Sequence, residues 1–395
     1  MGEIKPFYFE GTIAASKSLM NRALIVQSFF EKLSIVGESQ CNDVVKMREA
    51  LLSLSFNEAM DCGAAGTTLR FLMARVSREE GEFFLHGDER LFSRPHQGLI
   101  KLLEQLDVKV DFPEKNYIRV VSKGWRNQKI LKVDLSQSSQ FASALLLSAW
   151  NLENDLTLEL SVNKNSYSYL KMTMDFLIQM GMEINIESDK VKVPALQTLK
   201  IDQAVVEPDM SSCFAIAAFG ASLGEVKIKN FPSSSLQPDF EFIDILKKMS
   251  VDVSYEKVDQ VLNIKKPQVL RAVELDLNNN PDLFPVLSVL LLKAHGISEI
   301  TGIDHLVYKE SDRIQNTIDL IESVGGRCSY ENKKFKIYGN PQLVLNKSIV
   351  FNPDEDHRMA MAASLLVGMG ADIEITDKKV VDKSFPEFWQ AVGQL

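Results

Sequence analysis

Two hydrophobic patterns alternate along the chain. In the first, an amphipathic stretch with apolar residues every three to four positions gives way to a short period-two alternation: LLEQLDVKVDF, FLIQMGMEINI, DILKKMSVDVSY and LIESVGGRCSY. The change of period predicts a helix that runs into a strand. Weaker copies end at Leu54 and in the C-terminal FWQAVGQL, which makes six. Gly181 and Gly325 fall where a helix terminus in the left-handed conformation favours glycine. The second pattern is a segment that is small and apolar on nearly every side behind a polar opening: SKSLMNRALIVQSF, AGTTLRFLMARV, SSQFASALLLSAW, DMSSCFAIAAFGASL, PDLFPVLSVLLLKA and DHRMAMAASLLVGM. A helix apolar all round is a buried one.

The buried helices open near Ser16, Ala65, Ser138, Asp209, Pro281 and Asp356. After a shorter first step they recur at roughly 71 to 75 residues, longer than the roughly 20 to 50 of stacked repeats. Each period therefore holds one buried helix, one outer helix and several strands. This predicts an α/β (α+β) fold of six βαβαββ units, grouped three and three into two globular domains. The crossover lies at IDQAVVEPDMSS, and by symmetry the strand before Ser16 belongs with the second globe. The expected domains are 16–206 and 1–15 with 207–395, joined by a hinge near residues 14–16 and 205–208.

Composition adds exclusions. With 45% hydrophobic and 25% charged residues, 13 prolines and 20 glycines in 395 residues, the chain is an ordinary globular one. A net charge of −9 gives no overall footprint for nucleic acid, so any anion must be caught locally. Cys41, Cys62, Cys213 and Cys328 form no CxxC pair, which argues against a zinc site or disulfide framework and for a reducing compartment. The N-terminus lacks an apolar signal core, and the longest apolar run, Phe284 to Leu292, is far too short to span a membrane. The expectation is a cytoplasmic protein with no membrane partner. GASLG follows a helix and precedes a strand, the reverse of a nucleophile elbow, and no P-loop or GxGxxG occurs.

The openings of the buried helices carry the candidate chemistry. A helix N-terminus offers unpaired N–H groups and about half a positive charge. Ser16, Lys17, Ser18 and Arg22 open the first; Gly66, Thr67, Thr68 and Arg70 the second; Ser138, Ser139 and Gln140 the third; His357 and Arg358 the sixth. Capping explains the small polar residues. It does not explain Lys17, Arg22 and Arg358, since a cation in the first turn opposes the helix dipole unless an anionic ligand compensates. Arg94 before Pro95, Lys309 and Arg313 in KESDR, and Lys383 in DKSFPEFW add further cations. Taken singly, Pro95 reads as a first helical residue and KESDR as a solvated helical face.

Taken in order, SKSxxNRAL, AGTxxRFL, RP, SSQ, SxxYxxxT, DxSS, PDL, KESDR, DHRMAMA and KSFPEF are similar to the motifs of the 3-phosphoshikimate 1-carboxyvinyltransferases (EPSP synthases) of the enolpyruvyl transferase family, nearly end to end. The resemblance implies two domains of three βαβαββ units with the site in the cleft between them. It implies transfer of the enolpyruvyl group of phosphoenolpyruvate to the 5-hydroxyl of shikimate 3-phosphate with release of phosphate, a step toward chorismate and the aromatic amino acids. No cofactor or metal is implied, and a monomer is expected. Carried over by motif, Lys17, Ser18, Arg22, Ser138, Ser139, Gln140, Ser166, Tyr169, Asp282 and Lys309 would bind shikimate 3-phosphate. Phosphoenolpyruvate would be held by Lys17, Gly66, Arg94, Gln140, Arg313, Arg358 and Lys383. Asp282 is the expected base, kept ionised by a helix N-terminus, Glu310 the proton donor, and Lys17 a participant in proton transfer or in neutralising the departing phosphate. Closure of the domains around the two polyanions is expected.

The chain departs from the family pattern at Ala64, where Asn is usual, at His305 in place of Asn, at Val307 in place of a frequent Arg, and at Pro208 in place of Gly. Three rival readings fit the sequence less well. Transfer to UDP-N-acetylglucosamine normally goes with a reactive cysteine before the RP segment, where this chain has LFSRP. An RNA 3′-phosphate cyclase shares related units but fits neither the acidic charge nor KESDR. A nonenzymatic phosphometabolite binder would have little reason to keep every cation and both acid–base candidates.

Overall fold

The computed structural model describes residues 6–126, 130–136, 138–161, 167–345 and 347–393. The chain divides into two compact units, Ala15–Val206 and Met1–Ala14 with Glu207–Leu395. Each is built from the same repeat, seen complete in Met60–Lys123. Strand Met60–Asp61 leads through the buried helix Gly66–Val76 to the parallel strand Glu80–His86. The outer helix Gln97–Gln105 follows, then Lys109–Asp111 and Tyr117–Lys123, the latter pairing antiparallel with both Glu80–His86 and Lys109–Asp111. Alternation fixes the register: Ile118, Val120 and Ser122 face inward along Tyr117–Lys123.

In the Ala15–Val206 unit a second complete repeat runs from Ile130 to Val193 around the helices Gln140–Leu147 and Tyr167–Gln179. The first repeat is shorter. Ser34–Val36 pairs in parallel with Gln203–Val205 across the helix Lys17–Gln27, but only four residues separate the outer helix Asn42–Ser55 from Met60–Asp61. That is too few for the closing hairpin.

The second unit repeats this economy. A complete repeat spans Glu274 to Gly339, and another takes its first strand, Phe7–Gly11, from the N-terminus and pairs it in parallel with Gly224–Ile228. The last repeat pairs Ser348–Phe351 with Asp372–Ile375 and ends, among the described residues, at Phe388–Ala391. The mixed α/β fold in six repeats is as the periodicity predicts, with closing hairpins in four of them.

The buried helices form the cores. Lys17–Gln27, Gly66–Val76 and Gln140–Leu147 pack on one another in the first unit; Met210–Leu223, Phe284–Leu291 and His357–Gly368 do so in the second. Met210 through Ser222 are buried without exception, as expected of a helix with no polar face. Gly181 and Gly325 end their helices at φ of 96° and 84°. In the second unit the C-terminal ends of the three buried helices border an open hollow of about 1000 Å³ where Lys266 and Lys293 stand. These cations suit the negative ends of the helix dipoles, which leaves the N-terminal ends for anions. No described helix is long and apolar enough to cross a membrane.

Candidate active site

Each unit gathers one cluster of the residues singled out above. In Ala15–Val206, Ser16 caps the helix Lys17–Gln27 by accepting the Leu19 N–H at 3.4 Å. Lys17, the first helical residue, places Nζ 3.0 Å from the carboxylate of Asp43, and both side chains are largely buried. Arg22, one turn on, is 3% exposed and, among the described residues, has only uncharged acceptors in hydrogen-bond reach. Nε donates to Thr173 Oγ1 at 2.8 Å, Nη1 to the Ser18 carbonyl at 2.7 Å and Nη2 to the Tyr169 carbonyl at 3.4 Å. Burial pulls its pKa down to about 9.

The openings of the other two helices in this unit are tied together. Arg70 donates to Gln140 Oε1 at 2.6 Å and to the Pro95 carbonyl at 2.9 Å, while Gln140 Nε2 donates to Thr67 Oγ1 at 3.1 Å. The Arg94 guanidinium packs against Gly66: a Cβ there would fall 2.8 Å from Arg94 Nη1. Ser138 accepts the Gln140 N–H at 3.2 Å, and Ser139 is buried beside it as the residue preceding the helix. Pro95 is not the first helical residue; His96 takes the N-cap position and the helix opens at Gln97. Ser166 lies outside the described residues.

In the second unit the site is an ion cluster. Arg313, 1% exposed, donates from Nε to Asp356 at 2.7 Å, from Nη1 to Asp282 at 2.8 Å and from Nη2 to Glu310 at 2.7 Å. Arg358 donates to the other oxygen of Asp282 at 2.8 Å, and Lys309 Nζ stands 3.6 Å from Asp282. Three carboxylates thus meet three cations. Burial opposes the charge of Asp282, but Arg358, Lys309 and Arg313 together outweigh it and hold its carboxyl well below the usual range. Burial likewise opposes the charge of Arg313, and Asp356, Glu310 and Asp282 reverse it.

Two local expectations change. KESDR is no solvated helical face: Lys309 closes the 3-10 turn Asp304–Tyr308 and Arg313 begins the helix Arg313–Ser323. Asp282 sits in the 3-10 turn Pro281–Leu283, and the α-helix opens only at Phe284, so nearby cations rather than a helix terminus keep it ionised. His305 is buried near this cluster, its pKa lowered to about 4 by burial first and by Lys309 next. Lys383 ends the turn Lys379–Lys383, half-buried, in a segment packed on His357–Gly368.

Asp43, Asp356 and Thr173 were not picked out from the sequence as partners of the cations. Asp356 caps His357–Gly368 through the Arg358 N–H at 3.0 Å while holding Arg313, so the aspartate of DHR was the signal. Asp43 and Thr173 lie far along the chain from Lys17 and Arg22, and no spacing rule reaches them.

Paired parallel strands crossed by buried helices, with cations at the helix openings, define a protein of the enolpyruvyl transferase fold. The solved EPSP synthase of Acinetobacter baumannii matches with a TM-score of 0.76 at 21% identity, covering 98% of this chain and 95% of that one. The enolpyruvyl transferase NikO from Streptomyces tendae matches at 0.72 and 13%, over 98% and 94%. The chain belongs to the EPSP synthase (3-phosphoshikimate 1-carboxyvinyltransferase) family, whose model matches residues 27–392. It is 34% identical to the 3-phosphoshikimate 1-carboxyvinyltransferase of Syntrophobacter fumaroxidans, over 86% of this chain and 80% of that one. To its counterpart in Colwellia psychrerythraea it is 30% identical, over 97% and 96%.

Proposed function

We propose that the protein transfers the enolpyruvyl group of phosphoenolpyruvate to the 5-hydroxyl of shikimate 3-phosphate, yielding 5-enolpyruvylshikimate 3-phosphate and phosphate. The observation that carries this reading is family membership over nearly the whole chain. Groups from both units are assigned to the two substrates. Arg22, with Lys17, Ser18, Ser138, Ser139, Gln140, Ser166 and Tyr169, serves shikimate 3-phosphate; Asp282 and Lys309 face its hydroxyls. Lys17, Gly66, Arg94, Gln140, Arg313, Arg358 and Lys383 serve phosphoenolpyruvate. Arginine forks suit the carboxylate bidentately, and lysine acts as a point charge on phosphate.

Addition forms a bond from the 5-oxygen to C2 of phosphoenolpyruvate while C3 gains a proton. Asp282 takes the hydroxyl proton, and Glu310, protonated in the reacting complex once the substrate anion draws Arg313 away from it, supplies the one for C3. Elimination returns a proton from C3 and breaks the C2–O bond to phosphate, restoring the double bond, with Lys17 neutralising the departing group. Asp282 is a poor base while three cations surround it. Substrate carboxylate and phosphate groups that draw Arg313 and Arg358 toward themselves would raise its basicity as the reaction needs. We place the protein in the cytoplasm, a reading supported by four buried, free cysteines, and expect it to act as a monomer.

The test is phosphate release by the purified protein from phosphoenolpyruvate without added metal, with shikimate 3-phosphate or UDP-N-acetylglucosamine as acceptor. Release with the first acceptor alone is expected; release only with the second, or tight shikimate 3-phosphate binding with no turnover, would overturn the proposal.

A further inference from the structure

We infer that Thr173, backed by Ser143, is a positioning residue that orients the Arg22 guanidinium for an anionic substrate while leaving its charge uncancelled. The inference rests on the assignment of Arg22 to shikimate 3-phosphate.

Arg22 and Arg313, one buried arginine from each unit, are held in opposite ways. Arg313 meets three carboxylates, whereas no described carboxylate comes within 4.0 Å of Arg22. The Arg22 guanidinium is fixed by two carbonyls, one hydroxyl and the face of Phe71, 5.3 Å from its centre. A buried cation without a counter-charge is unfavourable and drives toward an incoming anion.

Thr173 is built for that task. It is fully buried, as is Ser143, between apolar neighbours on the helices Tyr167–Gln179 and Gln140–Leu147. Its hydroxyl has two acceptors for its one proton, the Tyr169 carbonyl and Ser143 Oγ, each at 2.9 Å. With the proton engaged there, the lone pairs are turned to Arg22 Nε at 2.8 Å. The bond to Tyr169 is the local habit of a helical threonine. The contacts to Ser143 and Arg22, 30 and 151 residues away, are not local. A carboxylate here would bind Nε more strongly and cancel the charge the substrate needs; a hydroxyl fixes direction with a dipole alone.

The test compares Thr173→Val, Thr173→Ser, Thr173→Asp, Ser143→Ala and Arg22→Ala by calorimetry with shikimate 3-phosphate and by steady-state kinetics. Thr173→Val should raise Kd and KM for shikimate 3-phosphate about tenfold, the scale of one hydrogen bond to a charged group. Its kcat should change less than about threefold and its KM for phosphoenolpyruvate should hold. Thr173→Ser should recover most of the affinity, and Ser143→Ala should act in the same direction as Val but less. Thr173→Asp should bind more weakly than Thr173→Val, because it restores an acceptor and removes the net charge. Affinity in Thr173→Val within about twofold of the parent, alongside a large loss in Arg22→Ala, would overturn the positioning role. Parent-like affinity in Thr173→Asp would overturn the charge argument. If Arg22→Ala itself leaves Kd unchanged, the assignment of Arg22 has failed and the inference falls with it.

Discussion

Arg358 donates a 2.8 Å hydrogen bond to Asp282, so a group assigned to phosphoenolpyruvate is bound to the group assigned as base. On that assignment, the Asp282 carboxylate competes with phosphoenolpyruvate for the donors of Arg358. Asp282→Asn should therefore separate two effects. Turnover should fall at least about a hundredfold with the base gone. Binding of phosphoenolpyruvate to the protein alone should tighten severalfold, because Arg313 and Arg358 lose an internal competitor. Calorimetry without shikimate 3-phosphate reads the second effect, and weaker binding in the variant would contradict it.

Glu310 donates no proton once it is an amide. Glu310→Gln should lower kcat at least about a hundredfold while leaving shikimate 3-phosphate binding nearly intact. Near-normal turnover would remove it from the mechanism.

A methyl group at residue 66 meets the guanidinium of Arg94 before anything else. The arginine can swing away, so Gly66→Ala should fold with unchanged thermal stability and raise KM for phosphoenolpyruvate severalfold, with a smaller effect on shikimate 3-phosphate. Unchanged kinetics would separate Arg94 from the substrate.

Burial disfavours the charge of Arg22 and lowers its pKa to about 9. A bound anion favours that charge, so binding of shikimate 3-phosphate should take up a proton near this pH and weaken as pH rises above about 9. Calorimetry in buffers of different ionisation heat measures the uptake. Binding that stays flat from pH 8 to 10, with no proton uptake, would mean that Arg22 is already fully charged before the ligand arrives.

His96 and His305 are held neutral, each with its pKa lowered to about 4; burial dominates in both, followed by Arg70 at His96 and Lys309 at His305. The unfolded chain binds protons near pH 6.5 and the folded one only near 4. Stability should thus fall as pH drops through that window, by about 3 kcal/mol per histidine at most. Urea unfolding at pH 7, 5.5 and 4.5 measures the loss, and His96→Gln should make it shallower. A slope identical to the parent's would rule out His96 as a contributor.

What the sequence discloses depends on distance along the chain. All six buried helices and the helix-to-strand changes of period lie within single segments, and apolar spacing exposes them. Gly181 and Gly325 are legible for the same reason. The abbreviated first repeat could be anticipated only by noticing how few residues separate Ser55 from Met60. Lys17 and Arg358 are visible because they oppose the helix dipole from the first turn, whereas Arg22, the sixth residue of its helix, lies beyond that turn, and the partners of these cations are not visible. Asp356 reaches Arg313 across 43 residues and Arg358 reaches Asp282 across 76, and folding alone makes those pairs neighbours. A solvated helix and a buried ion cluster look alike in KESDR because both are amphiphilic and charged; the difference lies in what packs against them.

The strand Phe7–Gly11 finds its parallel partner only in Gly224–Ile228. On the ribosome it emerges roughly 200 residues ahead of that partner, a delay of tens of seconds at about 5–20 residues per second. Residues 15–206 can assemble in the meantime as an uninterrupted stretch. The nascent segment bearing Phe7 and Phe9 has to remain unclaimed throughout, so this is the moment in the protein's life when a chaperone would matter most.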